Sequence, residues 1–372
     1  MDTDKAIAVT QDLLAKEGSS MGELLGNFRD RISPVLVGEP QWQRMLACCS
    51  RLPIELGALP FGFELPMHER QPIADMGVSM TSNSRTTRFF EEVEQSDETK
   101  DTANAVLCLF KQMEASNSPL RSIVGRKVML EYDTGPDVYS PTVRPGMFLR
   151  PGERPILGAG GQTQDVRTIV DALVAAAGWE WKEREWKNVE RAYLSQPEDT
   201  RTDSFGVFPS RPRSIRLAVM GFKTNQEIRD YLVSIGWPGQ VSAVESVMSQ
   251  FKERADIVRT GFNIDVLEQG IGPTLGLTLI VKQRYTKDSR YWLDGLTDWD
   301  PFLDALGHEK IVVQEKLEEL ARWVSKPTVL FAKSGRFVLL RGIHHIKLVV
   351  SNGQLSKVKA YVFMVLSGAL KL

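Results

Sequence analysis

The chain has 372 residues, 46 basic and 47 acidic side chains, a formal net charge of −1 and 42% hydrophobic residues. That balance belongs to a packed globular protein with a sizeable core, and it argues against a nucleic-acid binder working by bulk positive charge. Cys48, Cys49 and Cys108 form neither a disulfide framework nor a zinc spacing, the acidic start MDTDKAIAVTQDLLAKEG does not read as a signal peptide, and no apolar run is long enough for membrane insertion, so a soluble, cytoplasmic protein is expected.

Helical spacing opens the chain. Ala6, Val9, Leu13 and Leu14 recur on one face, then Met21, Leu24, Leu25 and Phe28 behind a Ser-Ser pair that can cap, then Trp42, Met45, Leu46 and Cys49. After these N-terminal helices (1–55), FGFELP (61–66) and DMGVSM (75–80) read as two short strands. Helices are predicted around Phe89, Phe90 and Val93 and around Val106, Leu107, Phe110 and Met113, followed by strands at 126–133 and 143–150. Helices at 163–177 and 180–194 lead to strands at 205–209 and 214–222. Thr224 with Glu227 is a capping box for a helix carrying Ile228, Tyr231, Leu232 and Ile235. Its partner carries Val244, Val247, Met248 and Phe251, and strands at 257–266 and 274–284 follow. Helices at 300–308 and 310–325, a strand at 336–350, the turn Asn352-Gly353 and a strand at 357–366 close the chain.

Helix groups thus alternate with strand pairs from 56 to 372, with no repetition at the level of letters. Hairpin-linked strands are antiparallel, whereas parallel α/β folds alternate single strands with single helices. Ten antiparallel strands strain an open twisted sheet. The expected fold is therefore an α/β protein of αββα repeats, a single domain in which a ten-stranded antiparallel barrel is surrounded by helices.

Side chains alternate across a strand with period two. Leu277, Leu279 and Val281 share one face, opposite Thr278, Ile280, Lys282 and Arg284. His345 and Lys347 oppose Ile346, Leu348 and Val350; Lys357, Lys359, Tyr361 and Phe363 oppose Val358, Ala360 and Val362. Under a coat of helices the aliphatic faces pack outward and the polar faces line a lumen. Ordinary alternation in a sheet with one wet side gives the same pattern. Glu64, between Phe63 and Leu65, and Glu131, in MLEYD, are carboxylates within strands; each is either a lumen acid or a solvent-facing edge residue.

The five-fold helix-strand-strand-helix order resembles the ABBA, or PT-barrel, family of aromatic prenyltransferases. KVKAYV (357–362) is similar to the Lys-x-Tyr strand signature of the indole prenyltransferases, and FGFELP (61–66) to the early strand bearing their proton-accepting glutamate. The resemblance implies a lumen that holds an allylic diphosphate and an aromatic acceptor, with no Asp-rich metal motif and no cofactor. Arg216, Lys282, Lys347 and Lys359 would then hold the diphosphate, joined by Arg284 and His345 on the same faces. Tyr285 and Tyr361 would hydrogen-bond and shield a carbocation. Glu64, or Glu131 in second place, would take the proton of the alkylated ring. Two other readings stay open: a non-catalytic protein holding a lipid-like or peptide ligand in the same lumen, and a terpenoid cyclase on the same scaffold.

Other signals point to structure. LGAGGQTQD (157–165) has Gly158-x-Gly160, but Thr163 stands at the third glycine of a dinucleotide fingerprint, so a turn and helix start is expected. Asp298-Trp-Asp300 precedes a helix and reads as an N-cap. His344 and His345, adjacent in a strand, should point to opposite faces and share no ion. Trp179, Trp181 and Trp186 read as packing.

Overall fold

The computed structural model describes residues 3–93, 100–134, 144–158, 160–252, 254–255, 257–281 and 299–369. Helices α1 (Thr3–Leu14), α2 (Met21–Gly26) and α3 (Glu39–Cys49) precede strands β1 (Phe61–Pro66) and β2 (Asp75–Thr81). Helices α4 (Arg85–Val93), α5 (Lys100–Glu114) and α6 (Pro119–Val124) lead to β3 (Lys127–Tyr132), β4 (Gly146–Leu149) and the short β5 (Ile156–Leu157). Next come α7 (Thr163–Ala176), α8 (Glu183–Leu194), β6 (Arg201–Val207) and β7 (Ile215–Phe222), then α9 (Asn225–Ser234), α10 (Val241–Lys252), β8 (Ile257–Leu267) and β9 (Gly270–Val281). Helices α11 (Asp300–His308) and α12 (Gln314–Trp323) and strands β10 (Ser325–Ala332), β11 (Gly335–Ser351) and β12 (Gln354–Ser367) complete the chain.

The strands close. Hydrogen bonds run along β11-β12-β1-β2-β3-β4-β6-β7-β8-β9 and return from β9 to β11, all antiparallel. This is the ten-stranded barrel expected from the strand count, and closure removes the open edges that a long sheet would expose. Strand β11 is 17 residues long because two partners share one of its edges end to end. Lys347–Val350 pair with β9, and Gly335–Arg341 pair with β10.

Local chemistry explains the elements. Asn352 and Gly353, with φ of 51° and 74°, make the tight turn of the β11–β12 hairpin that right-handed strand twist favours. Thr224 Oγ1 accepts from the Glu227 N–H at 3.1 Å, while the Glu227 carboxylate accepts from the Lys223 N–H at 2.8 Å, one residue earlier than the usual box. Alternation on β12 is complete: Val358, Ala360, Val362, Met364 and Leu366 are buried in the core, while Lys359, Tyr361 and Phe363 are half-buried on the other face. The aliphatic faces of the barrel and the apolar stripes of the helices, such as Val166, Ile169 and Leu173 of α7 and Leu317 and Leu320 of α12, belong to one continuous core. Among the described residues, no helix is long and apolar enough to cross a membrane.

Several boundaries depart from expectation, among them the start of β9 at Gly270 rather than 274 and the unpredicted α6 and β5. Strand β10 was not predicted: Pro327 interrupts its ladder, which a strand at the end of a sheet tolerates, and the register shifts between Ser325 and Thr328. Strand β6 starts at Arg201, four residues before the predicted start at Phe205. The helix predicted at 310–325 is Gln314–Trp323, because Lys310, at φ 54°, breaks the preceding turn. The N-cap of α11 is Trp299, and Asp300 occupies the first helical position, where its charge still favours the helix N-terminus; Asp298 lies outside the described residues. The Gly-rich loop is held by protein groups, as expected of a turn: the Gln162 N–H donates to the Tyr193 hydroxyl at 3.0 Å, and its side chain bonds Leu157 and Pro155. The tryptophans pack, with Arg167 over Trp181 and Trp186 at 3.7 and 4.7 Å.

Candidate active site

Cross-strand register assembles one polar row inside the barrel. Asp75 of β2 is paired with Glu64 of β1, Glu64 with Tyr361 of β12, and Tyr361 with His345 of β11. One level along, Lys359 is paired with Lys347, and Lys347 with Thr278 of β9. The Lys359 ammonium donates to the Glu64 carboxylate. Lys347 Nζ donates to the Tyr361 hydroxyl at 2.7 Å, and the His345 ring stacks on Tyr361 at 4.0 Å. Space for Lys347 comes from Gly276: a Cβ there would stand 2.9 Å from Lys347 Cδ.

A second set of charges lines the β6–β8 side. Arg216 binds Asp265 through two hydrogen bonds, 2.8 and 2.9 Å, across directly paired positions. Arg211, in the turn after β6, grips Asp133 with two nitrogens and reaches Glu131 at 3.4 Å. Both guanidinium groups lie over the Phe208 ring, at 3.6 and 4.8 Å. Between the two sets is a cavity of about 200 Å³, lined by Arg211, Arg216, Lys347, Lys357, Lys359 and Tyr361 together with Asp265, Asn263 and Thr274.

Burial makes these charges interdependent. Desolvation pushes Glu64 up, but the adjoining Lys359 and Lys347 ammoniums override it and hold the carboxyl at about 2. Asp75, half-buried, is pushed up to about 7 by desolvation and by the neighbouring Glu64 and Asp133 charges, although the Thr134 N–H donates to it at 2.9 Å. Burial and the Glu64 charge also raise Glu131. Burial lowers Lys347 to about 8, against the pull of Glu64. Burial disfavours charge on Lys359 as well, but Glu64 wins and raises it. Tyr361 is raised by burial and by Glu64 and Glu131, so it stays a phenol.

The expected residues Glu64, Glu131, Arg216, His345, Lys347, Lys359 and Tyr361 are therefore brought together inside the barrel. Glu64 is 5% exposed and Glu131 8%, so neither is the solvent-facing edge residue of the alternative reading. Lys282, Arg284 and Tyr285 lie outside the described residues. The histidine expectation is corrected: a bulge between Ile343 and His345 breaks the alternation, and the two Nδ1 atoms lie 2.7 Å apart on the same side of the strand. Sequence reasoning missed Asp75, Asp133, Arg211 and Asp265. Asp265 alternates in step with Asn263 on β8, a usable signal; Arg211 sits in a Pro-rich turn that carries none.

No family model and no curated protein matches the chain. Solved structures do. The chain is similar to the prenyltransferase PriB in its apo form (13% identity, 93% of this chain and 96% of that chain covered, TM-score 0.52). It is similar to PriB in binary complex with product diphosphate (13% identity, 92% and 95% covered, TM-score 0.52). It is also similar to 5-dimethylallyltryptophan synthase from Streptomyces coelicolor (13% identity, 92% and 97% covered, TM-score 0.51). The fold is the PT barrel. Within this PT barrel, the cluster on β1, β11 and β12 joins the buried Glu64 and Lys347 to the half-buried Lys359 and Tyr361, and its lysines and tyrosine line the cavity.

Proposed function

We propose that the protein is an aromatic prenyltransferase, moving an isoprenoid group from an allylic diphosphate to an aromatic small molecule or peptide side chain. The observation that carries this reading is the Lys359–Glu64 pair bonded beside Lys347 and Tyr361 at the wall of a barrel cavity. It is supported by the shared fold with proteins whose names describe prenyl transfer.

The chemistry divides among these groups. A diphosphate brings about three negative charges, which need cationic donors in a water-poor site. Lys347, Lys357 and Lys359 face the cavity and offer ammonium donors, while Arg211 and Arg216 add fixed positive field. The allylic C–O bond breaks and its electron pair leaves with the diphosphate. An aromatic carbon attacks the allylic cation, the new C–C bond forms, and the ring C–H proton passes to Glu64. A carboxylate held near 2 is a weak base, and weak suffices, because an alkylated arenium ion is a very strong acid. Tyr361 presents a π surface for the cation, with His345 stacked on its ring.

A second reading has its own support. Arg216, Arg211 and Lys359 each already hold a carboxylate, which suits a lumen that binds a weakly charged ligand without turning it over. Incubation with dimethylallyl diphosphate and a tryptophan-type acceptor, with EDTA present, separates the two. Alkylated product is expected; ligand retained without turnover would replace the first reading by the second.

A further inference from the structure

The lumen cations do not wait unpaired for an anion. Lys359, which lines the cavity, spends its ammonium on Glu64. Glu64 in turn stands directly across from Asp75 on the neighbouring strand. Glu64 is buried and Asp75 half-buried beside it, and like charges so close and poorly solvated cannot both persist without a cation. This inference rests on the proposed diphosphate site: an anion in the cavity competes with Glu64 for Lys359 and Lys347.

We propose that Asp75 is the proton-holding residue of the anion site: when a diphosphate recruits Lys359, the Glu64–Asp75 pair takes up a proton, carried by Asp75. The surroundings assign the proton to Asp75 and not to Glu64. Glu64 keeps the Tyr361 hydroxyl as a hydrogen-bond partner directly across the ladder, whichever lysine the anion draws away. Asp75 faces Glu64 of β1, Asp133 after β3 and, more distantly, Lys359 of β12. Asp133 is committed to Arg211, and Glu131, two positions earlier on β3, faces the same arginine. From α3, Arg44 bonds the Thr134 carbonyl and Gln41, so it is tied to the backbone next to Asp75 and not to its carboxylate. Asp75 receives one backbone N–H, from Thr134, and among the described residues no positively charged side chain is bonded to it. Its burial already raises it to about 7, and losing the Lys359 field raises it further.

The sign follows from linkage. A group whose affinity for protons rises on anion binding makes anion binding tighter at low pH. The gain is full below the free-state value near 7 and is lost as pH rises through the higher bound-state value. One linked proton changes affinity by at most about tenfold per pH unit.

Inorganic pyrophosphate is the probe, titrated calorimetrically into the full chain in buffers of different ionisation enthalpy. The wild type is expected to take up more protons per bound pyrophosphate than Asp75→Asn, with Asp75→Glu restoring the uptake. The ratio of wild-type to Asp75→Asn association constants is expected to fall as pH rises from about 6 to about 9; taking the ratio cancels the titration of pyrophosphate itself. Binding with equal proton uptake and a flat ratio would overturn the role of Asp75 while leaving the diphosphate site standing. Absence of pyrophosphate binding to the folded wild type would overturn the diphosphate site and this inference with it. Circular dichroism of each variant shows that the comparison is made between folded proteins, and Asp75→Ser, which also cannot hold the proton, takes the place of Asp75→Asn should that variant fail to fold.

Discussion

On the β1–β12–β11 side of the barrel, Lys359 meets Glu64 through one ammonium and Lys347 donates to a tyrosine. On the β7–β8 side, Arg216 holds Asp265 through two parallel bonds between facing positions. The difference is one of mobility. A guanidinium fork locked on a carboxylate is rigid and costly to redirect, whereas an ammonium on a four-carbon stem can swing to a new anion. The arginine side therefore reads as frame, and the lysine side as the part that can respond to a ligand.

The comparison can be broken, starting with the largest expected effect. Glu64→Gln removes the proton acceptor on the lysine side and is expected to lower kcat by about 10²–10⁴, with pyrophosphate affinity unchanged or tighter; steady-state rates unchanged from wild type would remove Glu64 from the chemistry. Arg216→Ala strands Asp265 and is expected to cost about 1.5–3 kcal/mol of stability in a urea titration, with a smaller effect on ligand affinity. Lys359→Ala should do the reverse. Pyrophosphate affinity falls about tenfold, corresponding to about 1.4 kcal/mol, while stability falls less, because Lys347 and Tyr361 remain near Glu64. If both variants lost stability and affinity in equal measure, the division into frame and responder would be void. The smallest effect tests the charge balance without ligand. Asp75 has a folded-state value raised to about 7 above an unfolded value of about 3.9, so its stabilising protonation is fully present below the unfolded value and lost as pH rises through 7. The melting temperature of Asp75→Asn minus that of wild type should therefore grow between about pH 4 and pH 7 and level off above; a constant difference would contradict the pairing of Asp75 with the buried Glu64.

Legibility followed the range of each interaction. Helices α7, α9 and α10 and strands β7, β11 and β12 could be read from apolar spacing, because burial of one face imposes period 3.6 or period 2 on neighbouring letters. The lysines and Tyr361 of β12 were readable for the same reason: Lys357, Lys359 and Tyr361 fall on the face opposite Val358, Ala360 and Val362. Strand β10 was hidden by Pro327, and the His344–His345 geometry by a bulge that spacing cannot signal. Asp75 was legible as a strand-opening residue but not as a site residue, since its role depends on Glu64 across the ladder.

Sequence alone, then, determined the order of elements and the two-faced character of the strands, because both arise from residues within a few positions of each other. Only the tertiary structure decided that β9 returns to β11, and which acid meets which base. Lys359 and Glu64 are 295 positions apart, and Arg211 and Asp133 are 78. Such partners are chosen by barrel closure and strand register, which depend on the whole set of long-range pairings and leave no local periodicity to read.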